Sequence, residues 1–325
     1  MKKNLGLIII LVAACLVTFL LNERFLYPAN IENLLRRTAL FSLISIGVSF
    51  VITTGGIDLS IGSVVCLTGT LLPWLAVTHG WGWLTSVTAL LAAAGAIGLG
   101  HGLLVTRLKL QPFIVTLCGL LLYRGITRGI TSDQTQGLGL GLEGLKALTQ
   151  TRFTLGGLLP VAIPSVVFIT LTVAVLAALV MNLTPLGLHL RAVGHNEQAA
   201  RFSGINTNRV ILSSYLACSL LAGLGGVLFI IDVNSAQPSD FGNFYELYAI
   251  AAAVLGGCSL RGGEWSIVGI VIGAALMQVL RNAIVLVDIP TQLEFAIIGG
   301  VILLGVTGEE VVQTIRRRRQ VSSTL

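Results

Sequence analysis

Charge is what this sequence has least of. Asp, Glu, Lys and Arg make up 10% of its 325 residues, against 54% hydrophobic residues and a mean hydropathy of +0.91. A soluble domain of this length needs far more polar surface, so the composition points instead to an all-α protein that crosses a membrane repeatedly. No polar stretch is long enough to be a separate soluble domain, and residues 1–325 are expected to form one membrane domain. Catalytic signatures are missing too: there is no G-x-x-x-x-G-K-[ST] loop, no H-E-x-x-H and no G-x-S-x-G, and the four histidines at 79, 101, 189 and 195 are scattered. An enzyme, a metal site and a cofactor held by this chain are therefore not expected, and energy must come from elsewhere. The five cysteines, at 15, 66, 118, 218 and 258, form no C-x-x-C pair and read as free, buried, small hydrophobes. The net charge of +6 could suggest nucleic acid as a partner. However, the Arg316–Arg319 run follows an apolar segment and has no interleaved aromatics, which fits an anchor at the edge of an anionic bilayer better.

What is present is a series of apolar runs. The first, Leu5 to Leu21, follows Lys2 and Lys3 and contains Val12-Ala13-Ala14-Cys15, wording like a lipoprotein cleavage box. The run stays apolar after the cysteine, so it reads as an uncleaved span. Thr38 to Thr78 is too long for one crossing of about 20 residues and reads as two, broken at residues 53–60. Further spans are expected near 85–105, 112–130, 160–181, 210–231, 245–257, 265–287 and 292–307, about ten in all. With both termini cytoplasmic, twelve of the 20 Lys and Arg fall inside, the direction that favours this orientation. Residues 131–159 then form the longest external stretch, and Asp232, Asp240 and Glu246 are candidate outer acids for a protein partner. Gly98 and Gly102 form G-x-x-x-G, a pattern that permits close helix packing.

The longest clearly polar passage between two apolar runs is 188–209, LHLRAVGHNEQAARFSGINTNR. Asn196 can cap a helix of about two turns, Gly194 and Gly204 bracket it as bends, and Arg191, Arg201 and Arg209 make it cationic, as cytoplasmic loops are. Its wording, AVGHNEQAARFSGIN, resembles the coupling loop of sugar-importing ATP-binding-cassette (ABC) permeases, the bacterial ribose-type family. That resemblance implies a loop that rests in a cleft of a separate ATPase through Gly194, Asn196, Ala199, Ala200, Ser203, Gly204 and Ile205. His195 stands where many members have Gly.

Two further stretches are similar to the same family. GGIDLSIGS contributes Gly55, Gly56, Asp58 and Ser60 at the break between two spans, where a carboxylate in hydrocarbon must find water, a cation or helix amides. Asp58 is expected to cap the third span through the N–H groups near Ser60 and Ile61. ELYAIAAAVLGGCSLRGG contributes a tight inner turn at Gly256, Gly257, Arg261, Gly262 and Gly263, and departs at Tyr248, where Asp is common in the family. The resemblance implies a multi-pass protein of the bacterial inner membrane that forms the path for a simple sugar or related small solute. It implies as partners an ATPase subunit that uses the ATP, a periplasmic sugar-binding protein and a second permease, identical or not. The alternative is an ion-coupled carrier that titrates Asp58.

Overall fold

The computed structural model describes residues 5–139, 142–153 and 161–300, with 303 and 307. Its helices are α1 (Leu5–Leu21), α2 (Pro28–Thr53), α3 (Ile61–Pro73, continued as a π turn to Thr78), α4 (Trp83–Arg107), α5 (Pro112–Thr131), α6 (Glu143–Gln150), α7 (Ser165–Leu183), α8 (Pro185–His195), α9 (Glu197–Phe202), α10 (Thr207–Val233), α11 (Tyr245–Leu255) and α12 (Ile267–Leu286). Seven are long and apolar enough to cross a membrane: α2, α3 with its continuation, α4, α5, α7, α10 and α12. α1 and α11 are apolar but shorter. The tenth expected span lies only partly within the described residues, helical over 294–300, and the Arg316–Arg319 run lies outside them.

α10 is the axis of the bundle, packed against α4, α3 and α2. The approach to α4 is close because glycine leaves room for backbone. A Cβ at Gly98 would lie 2.6 Å from the Tyr215 carbonyl oxygen, and one at Gly102 would lie 2.9 Å from Leu212 Cα. The small-residue face legible in the sequence is thus a helix contact. The opposite pattern holds on α5 and α7, which leave most of their apolar surface uncovered, as lipid-facing helices do.

Three sequence expectations change. The polar stretch between the first two apolar runs is partly helical, because α2 starts at Pro28, a residue pre-set for the first helical position, well before the apolar run expected from Thr38. Its polar first turns stay helical because their charges are paired: Arg36 Nη2 lies 2.8 Å from Glu32 and Nη1 3.3 Å from Asp232, while Arg152 Nε lies 2.9 Å from Glu32. Asp232 is consequently inside α10 and ion-paired, and Glu246 is buried in α11, so of the three outer acids only Asp240 is exposed. Among the cysteines, Cys66, Cys218 and Cys258 are buried, but Cys15 is half-buried and Cys118, on the uncovered face of α5, is exposed.

At the end of the bundle away from α9, short connections are tied together. β1 (Gln136–Gly137) pairs antiparallel with β4 (Ser235–Ala236), and β2 (Arg152–Phe153) pairs with β3 (Ile163–Pro164). Between them, α6 packs on α10 and α7.

Candidate functional site

The polar passage folds as two helices meeting at a corner. α8 runs through Gly194 to His195, so Gly194 is a helical residue and not a bend. Arg191, one of the three arginines that make the passage cationic, donates from Nη2 to Met181 O at 2.9 Å and so satisfies a carbonyl near the end of α7. Asn196 then has extended backbone, and its Oδ1 accepts from Ala199 N at 2.9 Å, the expected N-cap of α9. α9 stops as its sequence demands: Ile205 N donates to Ala200 O, Gly204 N donates to Arg201 O, and Gly204 takes φ +86°, the paired bonds of a Schellman cap. Asn206 starts α10 in the same way, its Oδ1 accepting from Arg209 N.

The seven predicted coupling residues divide by direction. Asn196, Ala199, Ser203 and Gly204 are exposed, Gly194 and Ile205 are half-buried, and Ala200 is buried against the protein's own core. Phe202, absent from the residues that carry the resemblance, is 90% exposed at the end of α9. Its signal in the sequence is a single aromatic ring within a cationic loop. Beside it lies a groove of about 410 Å³, lined by Leu186, His189, Ser203, Ile205, Asn206 and Arg209. Glu197 accepts from Arg201 at 2.8 Å and from Thr207 at 3.1 Å, which fixes α9 to the start of α10.

The break between α2 and α3 is a second Schellman cap. Gly56 N donates to Val51 O, Gly55 N donates to Ile52 O, and Gly55 has φ +79°. Residues 54–60 are irregular backbone inside the bundle, which is tolerated because neighbouring helices satisfy it. Ile57 O accepts from Tyr215 Oη at 3.3 Å and from Thr116 Oγ1 at 3.5 Å. Asp58 is 1% exposed. Its Oδ1 accepts from Ser60 N at 2.9 Å and Ser60 Oγ at 2.7 Å, and Oδ2 has no hydrogen-bond partner among the described residues. Ser60, not Asp58, is the residue that precedes α3, and Ile61 N is not among the donors to Asp58, so the expected cap is an Asx-type turn that leads into the helix. Nearby, His101 is buried and shares a 2.9 Å hydrogen bond with Tyr123 Oη. Its place among Gly98, Gly100 and Gly102 was the only hint that it faces a tight interior; nothing in the sequence marked Tyr215.

The inner turn closes the arrangement. Gly257 (φ +91°) ends α11, with Cys258 N donating to Ala253 O, and Ser266 Oγ caps α12 by accepting from Gly269 N at 3.2 Å. Gly256 faces the α12 backbone at Gly269, and Arg261 is exposed. Gly262 and Gly263, both left-handed, return the chain against the other two stretches: Gly263 N donates to Thr53 O at 2.9 Å. A Cβ on Gly194 would strike Thr53 O and Gly263 N, one on Gly262 would lie 2.9 Å from Gly55 N, and one on Gly263 would enter the His195 ring. The polar passage, the helix break and the inner turn, far apart in sequence, thus share one junction. A cleft of about 290 Å³ lined by Thr54, Gly55, Gly56, Lys109, Glu197 and Tyr215 runs beside it.

The exposed helix α9 thus follows directly on α8, whose Gly194 lies against the backbone of Thr53 at the break between α2 and α3.

A family profile described as "Branched-chain amino acid transport system / permease component" matches residues 30–306. The chain is 36% identical over 305 residues to the ribose import permease protein RbsC of Escherichia coli strain K12, covering 94% of this chain and 92% of that protein. It is 38% identical to the ribose import permease protein RbsC of Bacillus subtilis strain 168, covering 93% and 90%. The xylose transport system permease protein XylH of Escherichia coli strain K12 is 30% identical, with 94% and 92% covered. No solved structure matches the chain.

Proposed function

The chain belongs to the ribose-type family of ABC importer permeases, and from that premise we propose that it forms the membrane path for a simple sugar or related small polar solute. The whole chain acts as one permease domain of about ten spans with both termini in the cytoplasm, in the inner membrane of a bacterium. A cytoplasmic ATPase receives α9 and supplies the energy from ATP, a periplasmic binding protein delivers the sugar, and a second permease, identical or not, completes the path. No cofactor is held by this chain.

The observation that carries this reading is the shared junction of Gly194, Thr53 and Gly263, which ties the exposed coupling helix to the helix break. In the proposed cycle the ATPase holds α9 at Asn196, Ala199, Phe202 and Ser203. Movement of α8 shifts Thr53 and the inner turn, and so the relative tilt of α2, α3 and α12. Asp58 and Ser60 brace the start of α3 during that movement. The relatives are named for ribose and xylose, which supports a sugar of that class as the solute. Those names also weigh against an ion-coupled carrier, for which Asp58 would have to titrate in each cycle.

The test is reconstitution in vesicles with a cognate ATPase subunit and sugar-binding protein. Uptake of radiolabelled ribose or xylose should require ATP, the ATPase and the binding protein together. Uptake driven by a proton or sodium gradient in the absence of the ATPase would overturn the proposal.

A further inference from the structure

At the opposite end of the bundle from α9, a cleft of about 230 Å³ opens between the first turns of α2 and the last turns of α12. It is lined by Asn33, Leu34, Arg37, Gln278, Arg281 and Asn282. Along α2 it lies roughly 24 Å from Thr53, at about 1.5 Å per residue from Arg37. Gln278 is only 4% exposed, and its Nε2 has no hydrogen-bond partner among the described residues. A buried amide donor left unpaired is costly, so its presence in the wall of a cleft marks a place where an acceptor is met.

The charges around the cleft narrow the chemistry of that acceptor. Arg37 Nε lies 3.7 Å from Asp232, and Arg281 Nε lies 2.7 Å from Glu294 while its guanidinium stands 5.0 Å over the Tyr248 ring. Each of these guanidiniums thus has a carboxylate beside it, Asp232 being shared with Arg36, so an added anion would sit against Asp232 and Glu294 as well as against the cations. What the cleft offers instead is amide groups and the remaining N–H groups of matched guanidiniums. Asn282 is held in place by reciprocal bonds with Asn30, at 2.7 and 3.1 Å. Side-chain amides both donate and accept, as hydroxyl groups do, so the set matches a ligand rich in hydroxyls.

We propose that this cleft is a binding subsite for a small, neutral, polyhydroxylated solute on the face of the permease away from the ATPase. This rests on the transport reading above and deepens it, since it gives the membrane subunit a solute contact of its own, with Gln278, Asn33 and Asn282 as the hydrogen-bonding groups.

The experiment uses the full chain in phosphatidylcholine nanodiscs, with D-ribose and D-xylose as separate probes, read by saturation-transfer NMR. At least one sugar should show transfer to the wild type that falls at least fivefold in both Gln278→Leu and Asn33→Ala. Asn33 is exposed, so its variant tests the site without threatening the fold. Absence of transfer in the wild type, or undiminished transfer in Asn33→Ala, would overturn the subsite. Displacement of the sugar signal by phosphatidylglycerol, with that lipid retained by the wild type and lost from Asn33→Ala, would overturn it in favour of a lipid headgroup site. Uptake by the reconstituted assembly is read separately. Uptake without saturation transfer sinks the subsite alone, whereas gradient-driven uptake without the ATPase sinks the transport reading.

Discussion

The backbone N–H of Gly263 donates to the carbonyl oxygen of Thr53 at 2.9 Å, joining the turn before α12 to the last residue of α2. Thr53 is also the residue against which Gly194 presses, so one carbonyl is the meeting point of three segments that are distant in sequence. Backbone contacts of this kind leave little room for adjustment.

Gly263→Ala should be more damaging than Gly257→Ala. Both positions have positive φ, +82° and +91°, and so share a backbone cost of about 1–2 kcal/mol. Only at 263 would the added methyl run into the His195 ring, since Gly257 has open space around it. Overpacking there should add about 1–3 kcal/mol. Thermal unfolding of the two purified variants measures the difference, and equal losses would mean that the junction yields freely.

Phe202→Ala should leave the protein as stable as the wild type, within about 0.5 kcal/mol, because the ring touches little of its own chain. Co-purification with the ATPase and ATP-dependent uptake should both fall at least tenfold. Gly204→Arg is a poorer probe of the same contact: Gly204 has φ +86°, so arginine would strain the helix cap whether or not a partner is present. Normal uptake by Phe202→Ala would remove the ring from the coupling surface.

Asp58→Asn should retain most ATP-dependent uptake, because an asparagine oxygen can take the place of Oδ1 and accept from Ser60 N and Oγ. Asp58→Leu leaves those donors without their acceptor in a buried site and should cost about 1–3 kcal/mol, with loss of assembly or uptake. If the Asn variant is assembled correctly yet transports nothing, the charge itself is required and the carrier reading returns.

Reporter fusions after Arg152 and after Arg209 should report opposite sides of the membrane, external and cytoplasmic. An activity pattern placing both on one side would reject the ten-span arrangement.

The local chemistry of the site was legible because it rests on near neighbours in the chain. The Asn196 cap needs only Ala199, the Gly204 stop needs only Ala200, Arg201 and Ile205, and the bonds to Asp58 come from Ser60 two residues away. Charges were harder to read. The apolar run from Thr38 did not reveal that α2 begins at Pro28, because Arg36 and Arg37 reach partners such as Asp232 that lie about two hundred positions away.

By itself, then, the sequence determined that this is a multi-pass helical protein of the ribose-type permease family, with one capped, exposed helix between two long apolar runs. Composition gives the membrane class, the wording of three motifs carries the resemblance to the family, and short-range hydrogen bonding gives the capped helix. Only the tertiary structure decided that Gly194 is packed and not a bend, that Ala200 faces inward while Phe202 faces out, and that the coupling helix, the break and the inner turn meet at Thr53. Those outcomes depend on how closely backbones from separate segments approach, and no residue type reveals its distant neighbours until the chain has packed.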